Sequence, residues 1–94
     1  MPIRVRYSKN AFKDLDKIYS YICSEIKMPD TANNQIARIY ESAENLVYLP
    51  ERNKVFQANK NGKKVRRSII DNYGIYYIYD EQVNEVFVVA IIYT

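Results

Sequence analysis

KKVRRSIIDNYGIYYIY, residues 63–79, holds two short alternating runs joined at Asp71-Asn72. Before the join, Val65, Arg67 and Ile69 share one face, and Lys64, Arg66, Ser68 and Ile70 the other. After it, Tyr73, Ile75, Tyr77 and Tyr79 fall on one face, and Gly74, Tyr76 and Ile78 on the other. A period of two over both runs, with many β-branched residues and tyrosines, predicts a β-hairpin. An isolated hairpin is marginal in water, so the rest of the chain must cover its apolar face. Val65 and Ile69 read as the floor of that cover, and the tyrosine rows as sheet packing.

Working outward, Asn61-Gly62 is a tight-turn signal leading into the hairpin, and Val55-Phe56-Gln57 is long enough for a short strand. Downstream, Asp80–Asn84 reads as a polar turn. Glu85–Tyr93 is almost continuously apolar, which predicts a central strand buried on both sides. At the other end, Ile3-Arg4-Val5-Arg6-Tyr7 alternates strictly and reads as a first strand pairing near that central one. Ser8 is placed to cap a helix whose apolar stripe runs Ala11, Phe12, Leu15, Ile18, Tyr19, Ile22, Cys23 and Ile26. Pro29 ends that helix and starts a second, with the stripe Ala32, Ile36, Ile39/Tyr40, Ala43 and Leu46/Val47, closed by Leu49-Pro50. Two amphipathic helices with so short a break pack as an antiparallel pair. The expected class is α+β, a two-layer fold of order β-α-α-β-β-β(-β), with a helical hairpin on a small, mainly antiparallel sheet.

The 94 residues are expected to form a single domain, residues 1–94, with enough apolar content (48%) to bury a core. Cys23 is the only cysteine, so an internal disulfide is excluded and a reducing compartment fits. No apolar run approaches membrane-span length and no leader pattern follows Met1, so the expected location is cytoplasmic, with no membrane partner. The net charge of +3 is unevenly placed: residues 51–70 carry seven Lys/Arg against Glu51 alone, and residues 71–94 carry four acids and no base. A basic segment of that density suits an acidic partner or a phosphate backbone.

The chemistry open to the chain is narrow. Histidine is absent, which removes Ser-His and Cys-His nucleophile pairs and the usual zinc sites. With two glycines in all there is no glycine-rich phosphate loop, and neither cofactor nor metal is expected. Cys23 sits on an apolar stripe and reads as an inert core thiol. RNA cleavage by the 2′-hydroxyl remains chemically open, because it needs positive charge on the phosphorane and a proton shuttle. The candidates are Lys63, Lys64, Arg66, Arg67 and Tyr93. The alternative use of Lys60, Lys63, Lys64, Arg66 and Arg67 is to bind an acidic partner or target.

An ordered set of motifs resembles the RelE/ParE superfamily of type II toxin–antitoxin toxins, on its ParE (plasmid-stabilisation) side. The set is Ala11-x3-Leu15-x2-Ile18-x2-Tyr21-Ile22, Pro29-x2-Ala32, Leu49-Pro50, Val65-Arg66-Arg67-Ser68-Ile69-Ile70, Asn72-Tyr73-x-Ile75-x-Tyr77 and Val86-x-Val88. The resemblance implies a small cytoplasmic toxin that inhibits growth and is neutralised by an acidic antitoxin encoded beside it. It implies as target either DNA gyrase, which is bound, or the translating ribosome, whose mRNA a metal-independent endoribonuclease would cut. Two departures count against mRNA cleavage and leave open an inactive, binding-only family member: Gly74 stands where many members carry a basic residue, and the chain stops at Tyr93-Thr94, where RNA-cleaving and many gyrase-directed members continue into a His- or Arg-containing tail.

Overall fold

The computed structural model describes residues 2–58 and 61–94. Strand β1 (Arg4–Tyr7) leads into helix α1 (Lys9–Tyr21), which continues through one π-helical turn, Ile22–Ile26. Ser8 fixes the start of α1 twice over. Its hydroxyl oxygen accepts the Ala11 N–H at 3.0 Å, and its O–H donates to the Val89 carbonyl at 2.9 Å. The π turn ends on Lys27 in the left-handed region, φ 60°, and Pro29 opens helix α2 (Pro29–Glu44) at its first position. A 3₁₀ turn, Asn45–Val47, completes the layer. Strands β2 (Val55–Ala58), β3 (Lys64–Ile70), β4 (Tyr73–Asp80) and β5 (Glu85–Tyr93) follow.

The five strands form one mixed sheet of order β1-β5-β4-β3-β2, with β1 parallel to β5 and the other pairs antiparallel. The expected hairpin is β3–β4, with Ile70 opposite Tyr73 and Asp71 at positive φ (54°) in the connection. The helices cover one face only. Ala11, Leu15, Ile39, Ala43 and Leu46 meet Tyr73, Ile75, Tyr77, Val86, Val88 and Ile91 in a single core. Each large apolar side chain buried there contributes about 1.5–3 kcal/mol. Tyr77 is fully buried, and its hydroxyl donates to the Pro50 carbonyl at 2.8 Å and accepts from the Asn53 amide at 3.1 Å. Burial raises the pKa of that phenol, which therefore stays a donor.

Two expectations are corrected. Val65 and Ile69 do not floor the helices. The register puts Arg66, Ser68 and Ile70 beside the core residues Tyr77, Ile75 and Tyr73, so Val65, Arg67 and Ile69 lie on the opposite face, where Ile69 is half exposed. Alternation identifies the two faces of a strand but not which one receives the helices. Strand β5 is interior, yet it is not buried on both sides. Its helix-facing residues are Val86, Val88 and Ile91, and Ile92 on the other face is half exposed. The step from Val88 to Ile91 reflects a β-bulge, since Tyr77 pairs with Val88 and Tyr76 with Ala90. The bulge carbonyl of Val89 is the one bound by Ser8, and the Asp14 carboxylate accepts the Ile91 N–H at 3.0 Å. No helix among the described residues is long and apolar enough to cross a membrane.

Candidate functional site

With both helices on one side, the opposite face of the sheet stands open. At its β2–β3 end, the Arg67 guanidinium lies 4.8 Å from the centre of the Phe56 ring, and Phe56 meets Tyr76 edge-on at 5.2 Å. Val65, Ala90 and Ile92 complete a shallow apolar depression of about 330 Å³. At its β1–β5 end, Arg6 stacks over Phe87 at 4.0 Å while holding Glu85 at 2.9 Å. The result is an apolar, aromatic surface flanked by arginines, a composition suited to binding. Phe56 and Ile92 are each about half exposed (48% and 50%) and so are free to be covered by a partner.

Gly74 belongs to this face. A Cβ there would sit 3.0 Å from the Tyr76 ring and 3.3 Å from the Arg67 Cδ. The absent side chain leaves room for the Tyr76 ring and the Arg67 stem to lie against the sheet.

The two neighbouring arginines have different roles. Arg66 points to the helix side, where its guanidinium donates to the carbonyls of Asn53 (2.6 Å) and Glu51 (3.2 Å) and lies 3.6 Å from the Glu51 carboxylate. Its side chain is only 14% exposed, so Arg66 fastens the loop after α2 to the sheet. Arg67 is exposed on the helix-free face. Lys63 lies 3.7 Å from Asp80, and Lys64 is exposed at the start of β3. Lys60 lies outside the described residues.

Tyr93 is elsewhere. It is exposed on the helix side, edge-on to Tyr73 at 5.6 Å, beside Ile18 and Tyr21. It pairs with Tyr73, which pairs with Ile70, so Arg67 and Tyr93 lie on opposite faces and on strands separated by β4. The geometry does not gather Arg66, Arg67 and Tyr93 around one point. Tyr7, Tyr73 and Tyr77 all have raised pKa values, mainly through burial, which moves them away from the phenolate a base would need. Among the described residues, no three His, Cys, Asp or Glu side chains converge as metal ligands.

Sequence reasoning missed Phe56, Tyr76 and Ile92 as members of this surface. The available signal was Phe56 in a short run beside a basic segment, together with an alternate face of the hairpin holding glycine next to tyrosine.

A two-helix layer on a five-stranded mixed sheet, open on its far face, is the RelE/ParE-like architecture. Three solved structures share it: a chromosomal ParDE toxin–antitoxin system from P. aeruginosa (TM-score 0.78, 18% identity, 98% of this chain and 96% of that one); the RelBE2 toxin–antitoxin complex from Mycobacterium tuberculosis (0.72, 20%, 100% of each); and an archaeal RelE–RelB complex from Pyrococcus horikoshii (0.65, 18%, 99% and 96%). No curated protein matches the sequence. The profile of the ParE toxin of the type II toxin–antitoxin system parDE matches residues 5–94, and the chain belongs to that family.

Proposed function

We propose that this ParE-family toxin works by binding a cytoplasmic target, DNA gyrase, through the helix-free face of its sheet, and that an acidic antitoxin neutralises it. The observation that carries the reading is the separation of the candidate chemical groups. Arg66 is engaged by the loop, Arg67 and Tyr93 are on opposite faces, and what remains in one place is a contact surface built on Phe56, Arg67 and Tyr76. The solved neighbours are toxin–antitoxin assemblies, which supports a protein partner here, and the basic segment 51–70 suits an acidic one. Arg67, Lys63 and Lys64 are assigned to target or antitoxin contact, and Lys60 is assigned there from the sequence alone.

The test is expression without an antitoxin, followed by a supercoiling assay with purified protein and gyrase. Growth arrest with filamentation, and altered supercoiling at micromolar protein, are expected. Cuts at the ribosomal A site in toeprinting, with gyrase unaffected, would overturn the reading in favour of a ribosome-dependent mRNA endonuclease.

A further inference from the structure

Beside the C-terminal half of α1, on the helix side of the sheet, lies a cavity of about 590 Å³ lined by Lys17, Ile18, Tyr21, Ile26, Tyr73 and Tyr93. Its volume falls within the roughly 300–1,000 Å³ of small-molecule sites. The π turn builds one wall. On a regular α-helix Ile26 would stand about 140° round the axis from Tyr21, after five steps of about 100°. The i→i+5 geometry of Ile22–Ile26 reduces that offset, and Ile26 joins Ile18 and Tyr21 at the cavity. The turn is pinned at its end, where the Lys27 N–H and, at 3.3 Å, the Met28 N–H both donate to the Ile22 carbonyl. The opposite wall is Tyr73 and Tyr93, paired across β4 and β5 with their rings edge-on at 5.6 Å.

The lining specifies an occupant. Tyr21, Ile26 and Tyr93 are 57%, 47% and 68% exposed, so three large apolar groups border open space there. The polar groups of the lining are one ammonium and three phenols, with no carboxylate among them. Burial, and then the neighbouring Tyr93 and Tyr21 phenols, raise the Tyr73 pKa, which keeps its hydroxyl a donor. Lys17 makes no ion pair among the described residues, and Asp14, one turn before it, is taken up by the Ile91 N–H at 3.0 Å. A ligand that satisfies this set has a flat apolar body to lie against tyrosine rings and a single negative charge to meet Lys17. A second copy docked through the same patch would bring two Lys17 ammoniums together, and a nucleic-acid strand would find one cation for its row of phosphates.

We infer that the cavity between the π turn and the Tyr73–Tyr93 pair is a binding site for a small aromatic carboxylate. The ring of the ligand lies among Tyr21, Tyr73 and Tyr93, and its carboxylate meets the Lys17 ammonium. Tyr93, which stands apart from Arg67 on the other face of the sheet, thereby acquires a role of its own. The site faces the helix side and the proposed target surface faces away from it, so the inference does not rest on the gyrase reading.

The experiment titrates the whole protein, isotope-labelled for NMR, with naphthoate and with the neutral naphthamide of the same shape. It is repeated on Lys17→Met, which keeps an unbranched stem and loses the charge, and on Tyr93→Leu. Both side chains are exposed, so both variants should keep the dispersed spectrum of the wild type. Shifts should concentrate on Ile18, Ile26, Tyr73 and Tyr93. The wild type should bind the carboxylate roughly tenfold or more tighter than the amide, and Lys17→Met should bind the two alike. Tyr93→Leu should weaken both probes. Equal affinity of the wild type for the two probes, a preference for the carboxylate that survives Lys17→Met, shifts centred on Phe56 and Arg67 instead, or no binding at millimolar probe would each overturn the inference. None of these outcomes alters the gyrase result, and a failed gyrase assay leaves the titration standing.

Discussion

Replacing Arg66 with alanine separates fold from function inside the Arg66-Arg67 pair. The guanidinium makes two charge-assisted hydrogen bonds to loop carbonyls, at 2.6 and 3.2 Å, from a site where only 14% of the side chain is exposed. The Glu51 partner is 65% exposed, so the ion pair itself adds little. Hydrogen bonds to a charged group contribute about 1.5–3 kcal/mol when lost, and water can reach the exposed Glu51 carbonyl, so a total near 2–3 kcal/mol follows. For a domain of this size each kcal/mol moves the melting temperature by about 4–8 °C, giving a drop of roughly 10–20 °C. Arg67→Ala removes an exposed cation–π contact of about 0.5–1 kcal/mol and should move the melting temperature by only a few degrees. Thermal melts of both variants, with denaturant titrations to check the slope, decide the matter. If Arg66→Ala melts within about 3 °C of the wild type, the claim that Arg66 fastens the loop is wrong, and both arginines return to the candidate binding set.

Ile39 is fully buried between the helices and the sheet, so Ile39→Ala should cost about 2–5 kcal/mol in urea unfolding, and a cost below about 1 would mean α2 is wrongly oriented. Gly74→Ala should destabilise by about 1–3 kcal/mol, because its Cβ meets the Tyr76 ring at 3.0 Å; an unchanged urea midpoint would show that the ring moves aside freely. The Asp71 carboxylate is held below its ordinary pKa, first by the Arg38 hydrogen bonds and then by Gln35. Its folded pKa lies below the unfolded one, so its contribution is present at neutral pH and is lost as pH falls through the folded value. Asp71→Asn should therefore flatten the acid limb of the stability profile, and an unchanged limb would remove Asp71 from the acid response.

Much of the fold was legible in local chemistry. Ser8 marked the start of α1, Pro29 the start of α2, and the alternation in residues 63–79 the β3–β4 hairpin, because each depends on neighbours in sequence. What was not legible depended on the third dimension. Val65 and Ile69 are as apolar as residues of the opposite face, so pattern alone could not say which side the helices take. The bulge at Val89 shifts the alternation of β5 by one residue, and a run such as Val86–Ile92 conceals that shift. The alternation separates Arg66 from Arg67, but it does not show that Arg66 meets the loop carbonyls after α2 while Arg67 stands on the helix-free face. Phe56 joined Arg67 and Tyr76 only once β2 was paired with β3.

The claim that the helix-free face is the working surface has one direct test: gyrase supercoiling with wild-type protein beside Phe56→Ala/Arg67→Ala protein of matched melting temperature. The wild type should alter supercoiling, and the double variant should require at least tenfold more protein for the same effect, the equivalent of losing about 1.4 kcal/mol of contact. Equal potency of the two proteins, or no effect of the wild type on gyrase at all, would contradict it.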